Sequence, residues 1–504
     1  MKYNYVIVGG GTAGWLTALY IRKKFPYGDV TVIASSKIGI LGAGEGTTPQ
    51  FLEFLDEVDI PVSEIIKHCG ATFKNGIKFT NWNGDGEYYY HGFKENSTLD
   101  PNLADTGISY LHLEKIAQGE NLDEFNFTQH ISEKQRVKYR KDDLEKFGGD
   151  ALHFNARELA HYFETVGISR GIKLIDDEVV DIISNDEGNI TGFNLKEGSV
   201  DADFVFDCTG FQRLIIGKFY NSKWISYKDS LPVNRAIPFF LDNNSKDLPP
   251  YTESIAMKYG WMWKIPVQGR YGCGYVFDKN LVSDDDIKKE IEEYIGHPVT
   301  FPTVFNFEAG AYDQVWIKNC CAIGLSSGFI EPLEATSIWV QIQTLRFFVQ
   351  SFGGYLQGRD LSVEYLNVNV QRMNRVILNF LYYHYITKRT DTKFWSDFTK
   401  DNIAPEGVEL LTKHLEINLP DQVFFKELDN LLGYSAFNDQ SWYSVGAGVK
   451  IFKPEIAQQQ FELAVSNLTE YEINKLNHLS NIEANSNSMF NHWEYIDYLK
   501  NENA

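Results

Sequence analysis

Residues 3–8 (YNYVIV) form a near-continuous apolar run, and a second run, DVTVIA, occupies residues 29–34. Runs of this length without strict alternation mark strands buried on both faces of a parallel sheet. Between them lie glycine-rich residues 9–14 and, from Ala13 to about Phe25, a stretch with helical periodicity. The pattern predicts strand, tight turn, helix and strand, a Rossmann-type unit at the N-terminus.

Further on, the pattern is mixed. Residues 73–82 (FKNGIKFTNW) and 88–93 (YYYHGF) read as strands, the first placing Lys74 and Lys78 on one face. Residues 156–166 read as a helix, and residues 173–183, 189–195 and 203–207 as short strands with polar turns. Met257–Phe277 alternates and carries glycines, as an antiparallel sheet does. From about Ile338 the spacing turns helical, in IWVQIQTLRFFVQSF, then VNVQRMNRVILNFLYYHYI, then further segments. The polar tail after about Asn485 is expected to fray. No repeat or low-complexity linker is visible. A chain of 504 residues is long for one core. The expected fold is α/β, a Rossmann-type βαβ unit plus antiparallel sheet, with a largely helical C-terminal region. The expected division is residues 1–345 and residues 346–504, the latter mainly helical.

Composition narrows the partners. Acidic residues outnumber basic ones 68 to 47, giving a formal charge of −21. That sign opposes a phosphate backbone or an anionic membrane surface, so no nucleic-acid or membrane partner is expected. Five cysteines, Cys69, Cys208, Cys273, Cys320 and Cys321, show neither a CxxC pair nor metal-ligand spacing, which points to a reducing compartment and no metal. MKYNYVIVGG enters a strand directly, without the apolar core of a leader, and no run approaches a membrane span. The expected location is the cytoplasm.

The candidate chemistry begins with GGGTAG, residues 9–14, which fits G-x-G-x-x-G. Gly9 permits the tight turn, Gly11 lets backbone approach a pyrophosphate, and Gly14 lets helix and strand pack closely, with the helix N-terminus facing the negative charge. An acidic residue to hold a ribose is expected where the second strand ends. Ala34, Ser35 and Ser36 stand there instead, so that anchor is missing or replaced. FVFDCTGF, residues 204–211, is a later apolar strand ending in Asp and Gly, typical of FAD-binding, monooxygenase-like folds where the chain returns to its cofactor, and the expected fold is of that kind.

Several motifs together are more specific. GGGTAGW (9–15), GAGE (42–45), DCTGF (207–211), GWMWKIP (260–266), SSGFIEPLEATSI (326–338) and RTDTKFW (389–395) resemble the flavin-dependent halogenases of the tryptophan halogenase branch. The resemblance runs from residue 5 to about 450. It implies FAD, delivered as FADH2 by a separate flavin reductase, and a halide ion that is oxidised to hypohalous acid and aimed at an electron-rich ring. It extends the cofactor set of Gly9, Gly11 and Gly14 to Thr12, Ala13, Ala43, Glu45 and Gly324. It makes Trp261, Trp263 and Pro266 a rigid wall on the flavin side, which keeps a second substrate from the flavin.

The resemblance also assigns roles. Spacing alone leaves Lys74 and Lys78 equal as candidates; the resemblance selects Lys74, whose amine can hydrogen-bond the oxidant or carry the halogen. Glu334, the second glutamate of EPLE, can stabilise the cationic ring intermediate and accept its proton, with Glu331 the rival. Thr336 and Ser337 correspond to the halide-binding backbone. Tryptophan halogenases read ESTG there, whereas this chain reads Glu334-Ala335-Thr336-Ser337, a departure that suggests bromide or iodide over chloride. His91, Phe93, Trp442 and Tyr443 match positions that hold the indole ring, so an indole or a phenol is the expected substrate. A homodimer is common among such proteins. The alternative is a single-component FAD-dependent aromatic hydroxylase, which would oxidise NADH unaided.

Overall fold

The structure, a computed structural model, describes residues 3–39, 45–93, 108–122, 126–146, 148–243 and 245–501. It separates into two compact units, each assembled from three segments. The first contains residues 1–71, 154–227 and 308–374, and the second residues 72–153, 228–307 and 375–504. The boundary expected after residue 345 falls inside the helix Ser337–Tyr355.

The first unit is built on a six-stranded sheet in the order Trp316–Ile317, Cys320–Ala322, Phe204–Asp207, Asn4–Val8, Asp29–Ala34 and Lys173–Asp176. All neighbours run parallel except the first pair. The expected strand–turn–helix–strand unit is present, with its helix at Thr12–Lys24. Val6, Ile7, Val32, Val205 and Cys320 are buried, as strands covered on both faces require. Cys208 packs beneath the glycine turn, where burial pushes its thiol well up and keeps it neutral. All five cysteines are free and buried.

The second unit carries a seven-stranded sheet in the order Phe305–Asn306, Arg235–Asp242, Arg270–Phe277, Gly260–Val267, Tyr251–Ala256, Gly76–Thr80 and Tyr88–Gly92. Only the pairing of Tyr251–Ala256 with Gly76–Thr80 is parallel. Met257–Phe277 forms the antiparallel hairpin that its alternation predicts. Met262, Cys273, Tyr275 and Phe277 face one side, packed on Ile287 and Ile291 of the helix Asp284–Ile295. The two tryptophans of GWMWKIP sit at alternate positions from Met262 and occupy the other face.

Two expectations need correction. Residues 73–82 are not one strand. Asn75 separates Thr72–Lys74 from Gly76–Thr80, because its N–H donates to Pro250 O at 2.6 Å and its carbonyl accepts from Phe93 N at 2.9 Å. Gly76 permits that crossing, since a Cβ there would lie 2.4 Å from His91 O. Lys74 and Lys78 therefore lie on different strands. The tail also does not fray. The helix Leu468–Ser488 is followed by the strand Met489–Asn491, which pairs with Arg136–Arg140, and by the helix His492–Asn501. Met489 packs with Phe127, Ile131 and Ile482, and Tyr495 stacks on Tyr139 at 4.5 Å. A few well-spaced apolar residues anchor a segment whose average composition is polar. Among the described residues no helix is long and apolar enough to cross a membrane.

Candidate functional site

The glycine turn of the first unit has the form its spacing predicts. Gly9 has φ +117°, and a Cβ there would lie 2.2 Å from Cys208 O. A Cβ on Gly14 would lie 1.9 Å from Gly9 O. Both positions exclude any side chain. Gly11, the residue capping the helix Thr12–Lys24, faces open space, with nothing within 4 Å of its would-be Cβ. The Thr12 hydroxyl is buried without a hydrogen-bond partner among the described residues, and the first helical turn carries no acidic residue. An open helix N-terminus with an orphaned hydroxyl fits a dinucleotide pyrophosphate. Gly324, at φ +74°, approaches so closely that a Cβ would lie 2.8 Å from Ala13 Cβ. Ala43 lies outside the described residues. Glu45 lies in the short strand Glu45–Gly46.

Acidic residues of the neighbouring strand stand beside the end of the second strand. Ala34 pairs with Asp176, whose Oδ1 accepts from Ser36 N at 2.8 Å, and Glu178 Oε1 accepts from Ser35 Oγ at 3.3 Å. The Ser36 N–H holds the exposed Asp176 carboxyl below its ordinary pKa, so a carboxylate stands beside the second strand's end. Asp207, the acid of DCTGF, is structural. Its two oxygens accept from Thr209 N, Thr209 Oγ1, Ile215 N and Ile216 N.

One residue in this unit escaped the sequence reading. Gln341 is buried, lies 3.4 Å from the would-be Cβ of Gly324, and its Oε1 has no hydrogen-bond partner. It sits one turn beyond Ser337 on the same helix face. The available signal was a polar residue flanked by Val340 and Ile342, one helical turn beyond Ser337.

EPLEATS forms the turn leading into the helix Ser337–Tyr355. Glu331 and Glu334 are both buried. Ala335 has φ +53°, a left-handed conformation that a Cβ disfavours by about 1–2 kcal/mol. Thr336 caps the helix without a side-chain bond, and no acidic residue occupies the first turn. The backbone N–H groups at Thr336 and Ser337 therefore begin a helix whose positive end is not neutralised by its own sequence.

In the second unit Lys74 is wholly buried. Its Nζ lies 5.3 Å from the centroid of the Phe93 ring, within cation–π range. Phe93 is fixed by its own backbone, with Asn75 O accepting its N–H and Lys138 Nζ donating to its carbonyl at 2.9 Å. Lys78, by contrast, is enclosed by Tyr88, Tyr90 and Tyr251 and donates to Glu133 at 3.3 Å. The structure thus separates the two lysines that spacing left equal.

His91 packs on Phe380 at 5.3 Å, Phe380 stacks on Phe437 at 3.8 Å, and Trp442 meets Phe380 edge-on at 5.0 Å. His91 and Trp442 therefore share one aromatic cluster. Tyr443 does not. Next to Trp442 on a helix, it points elsewhere, to Phe425, Phe452 and the Pro420 carbonyl, which its hydroxyl donates to. Trp261 and Trp263 meet edge to face at 6.1 Å. Trp263 lies across Gly274, where a Cβ would come within 2.1 Å of the indole. Trp261 is buried behind it, with its Nε1 lacking a hydrogen-bond partner. In RTDTKFW, Arg389 pairs with Asp391 at 2.6 Å, and Trp395 Nε1 donates to Met257 O at 2.7 Å, a structural use of the motif.

Comparison with known proteins accords with this geometry. Residues 4–464 match the tryptophan halogenase family. Tryptophan 6-halogenase SttH of Streptomyces toxytricini is 31% identical over 454 residues, covering 82% of this chain and 84% of the relative. Tryptophan 7-halogenase RebH of Lentzea aerocolonigenes is 30% identical over 477 residues, covering 88% and 89%. The crystal structure of SttH superposes with a TM-score of 0.87 at 26% identity, covering 98% of this chain and 99% of that one. The chain belongs to the tryptophan halogenase family, flavin-dependent enzymes that work with a separate flavin reductase.

Proposed function

We propose that this protein uses reduced FAD, received by diffusion from its reductase, dioxygen and a halide to halogenate an electron-rich ring, an indole or a phenol, in the cytoplasm. The observation that carries the reading is the buried ammonium of Lys74 over the face of Phe93. An ammonium enclosed in this way, in a family of halogenases, serves to hold a small polar oxidant by hydrogen bonding and raise the electrophilicity of its halogen. When bound, reduced FAD supplies the activation of dioxygen that oxidises halide to hypohalous acid.

The chain's own residues do the rest. Gly9, Gly11, Thr12, Ala13, Gly14 and Gly324 shape the pyrophosphate cradle, and Gln341 Oε1 accepts from a cofactor hydroxyl. The N–H groups at Thr336 and Ser337 receive the halide. Glu334 stabilises the cationic ring and takes its proton. Trp263 and Pro266, backed by Trp261, exclude other substrates from the flavin. His91, Phe93 and Trp442 hold the ring, while Tyr443 shapes the aromatic region by packing. Ser337 stands where the relatives' motif has glycine, so the halide segment is narrower and bromide or iodide is preferred.

The test is a mass-spectrometric turnover screen with FAD, a flavin reductase, NADH, each of the three halides, and a panel of indoles, phenols and anilines. Wild type and Lys74→Ala run side by side. Halogenated product from wild type alone supports the reading. Hydroxylated product, or NADH oxidation without the reductase, overturns it. A clear chloride preference overturns the halide order.

A further inference from the structure

The strand that carries Lys74 is held by two histidines that no motif identifies. Thr72 Oγ1 donates to Pro266 O at 2.6 Å and also lies 3.2 Å from His153 Nδ1. A carbonyl only accepts, so the single hydroxyl proton of Thr72 is committed to Pro266. His153 Nδ1 must then carry a proton and donate to Thr72. The other ring nitrogen, Nε2, lies 2.9 Å from Thr252 Oγ1 and accepts from it. Thr72, His153 and Thr252 are all buried.

The charge state follows from the surroundings. Burial, and then the charge of Lys74, push the His153 pKa well below its ordinary value. His492 is likewise neutral, with its pKa lowered to about 4 by burial. Its Nε2 accepts from Phe73 N at 2.9 Å, and its Nδ1 donates to Leu248 O at 2.8 Å. The residues on either side of this strand's Phe73 thus stand among neutral imidazoles, with Lys74 as the strand's own cation.

We propose that His153 is a positioning residue for Lys74: a neutral Nδ1–H imidazole that, through Thr72, locks the lysine's strand to Pro266 of the aromatic wall and, through Thr252, to the central sheet. The proposal rests on the catalytic reading of Lys74 given above. Its chemical sense is geometric. A lysine that must meet a small oxidant tolerates little displacement, and shifts of about 1 Å cost up to roughly 100-fold in rate. The bridge joins three separate strands, Thr72–Lys74, Tyr251–Ala256 and Gly260–Val267, through one ring.

The experiment uses the full-length enzyme with FAD, reductase and halide. It compares Thr72→Val, which deletes the hydroxyl, with Thr72→Ser, which keeps it, and with His153→Leu. Two quantities are read: the halogenation rate, and the share of reduced flavin lost as hydrogen peroxide instead of product. Thr72→Val and His153→Leu are each expected to halogenate about tenfold more slowly, with more peroxide and an aromatic-substrate KM within about twofold. Thr72→Ser restores most of the rate, and the double variant is no worse than either single one. Nitrogen-15 spectra of His153 show protonated Nδ1 and bare Nε2. A Thr72→Val enzyme with wild-type rate and coupling overturns the proposal, as does an Nε2–H tautomer. If rates fall only in step with melting temperature, with coupling unchanged, the bridge is structural and the proposal fails. Lys74→Ala separates the two readings: retained halogenation in that variant overturns both, whereas its loss beside a fully active Thr72→Val overturns only this one.

Discussion

The glycine turn and the Lys74 strand are built on opposite principles. Around the turn, polar atoms are left open: among the described residues Thr12 Oγ1 and Gln341 Oε1 have no partner, and nothing lies within 4 Å of a would-be Cβ on Gly11. Its shape comes from backbone, from Gly9 at φ +117° and Gly14 pressed against Gly9 O. Around Lys74, most side-chain polar groups are committed to one another: Thr72, Lys138, His153 and His492 are buried and hydrogen-bonded, and Asn75 donates through its amide nitrogen while its Oδ1 stays open. A surface that must accept a large ligand keeps its hydrogen-bonding capacity in reserve. A surface that must hold one reactive amine in place uses that capacity internally.

The strongest way to break this contrast is Lys74→Ala. We expect halogenation to fall by about 1,000-fold, near the middle of the range for a positioned proton-transfer or hydrogen-bonding group, while the flavin is still reoxidised. Product mass spectrometry and flavin absorbance check this together. If the turn is truly set by backbone, Gly14→Ala abolishes FAD binding and lowers stability by about 3 kcal/mol or more, because the new Cβ meets a carbonyl that cannot move away. Fluorescence titration of FAD and denaturant unfolding measure the two effects.

The committed side of the contrast has a pH signature. His492 is folded with a pKa of about 4, below its unfolded value near 6.5, so it binds its proton more readily when unfolded. Its contribution is complete above about pH 6.5 and disappears as pH falls towards 4. His492→Gln is therefore expected to flatten the acid-side loss of stability in that window by about one proton, or about 1.4 kcal/mol per pH unit, measured by unfolding at several pH values.

The open side has a smaller one. Gln341→Leu should weaken FAD about fivefold, the worth of one neutral hydrogen bond, with an unchanged melting temperature. The smallest effect concerns strain. Ala335→Gly, at φ +53°, relieves a left-handed backbone and should raise stability by up to about 1 kcal/mol by denaturant midpoint.

The same contrast explains what could be read early. The parallel strands at 4–8 and 29–34, the helix between them and the hairpin at 257–277 were legible because each is encoded by its own contiguous pattern. Strand breaks were not. Asn75 ends one strand and Gly76 begins another because of Pro250, His91 and Phe93, none of them nearby in sequence. The folded tail was hidden for a related reason: Met489 is one apolar residue in a polar stretch, and its value lies in partners more than 300 residues away, Phe127 and Ile131.

By itself, the sequence determined the glycine turn, because the exclusion of a Cβ at Gly14 by Gly9 O is local and leaves a fixed spacing in the chain. It also determined the family, through motifs scattered from residue 9 to residue 395. Tertiary structure decided which lysine is wholly buried, that Trp442 but not Tyr443 joins His91, and that Asp176 stands where the second strand lacks its acid. It also decided the protonated nitrogen of His153. Each of these depends on burial or on a hydrogen bond across strands, and such contacts leave no periodicity in the chain that makes them.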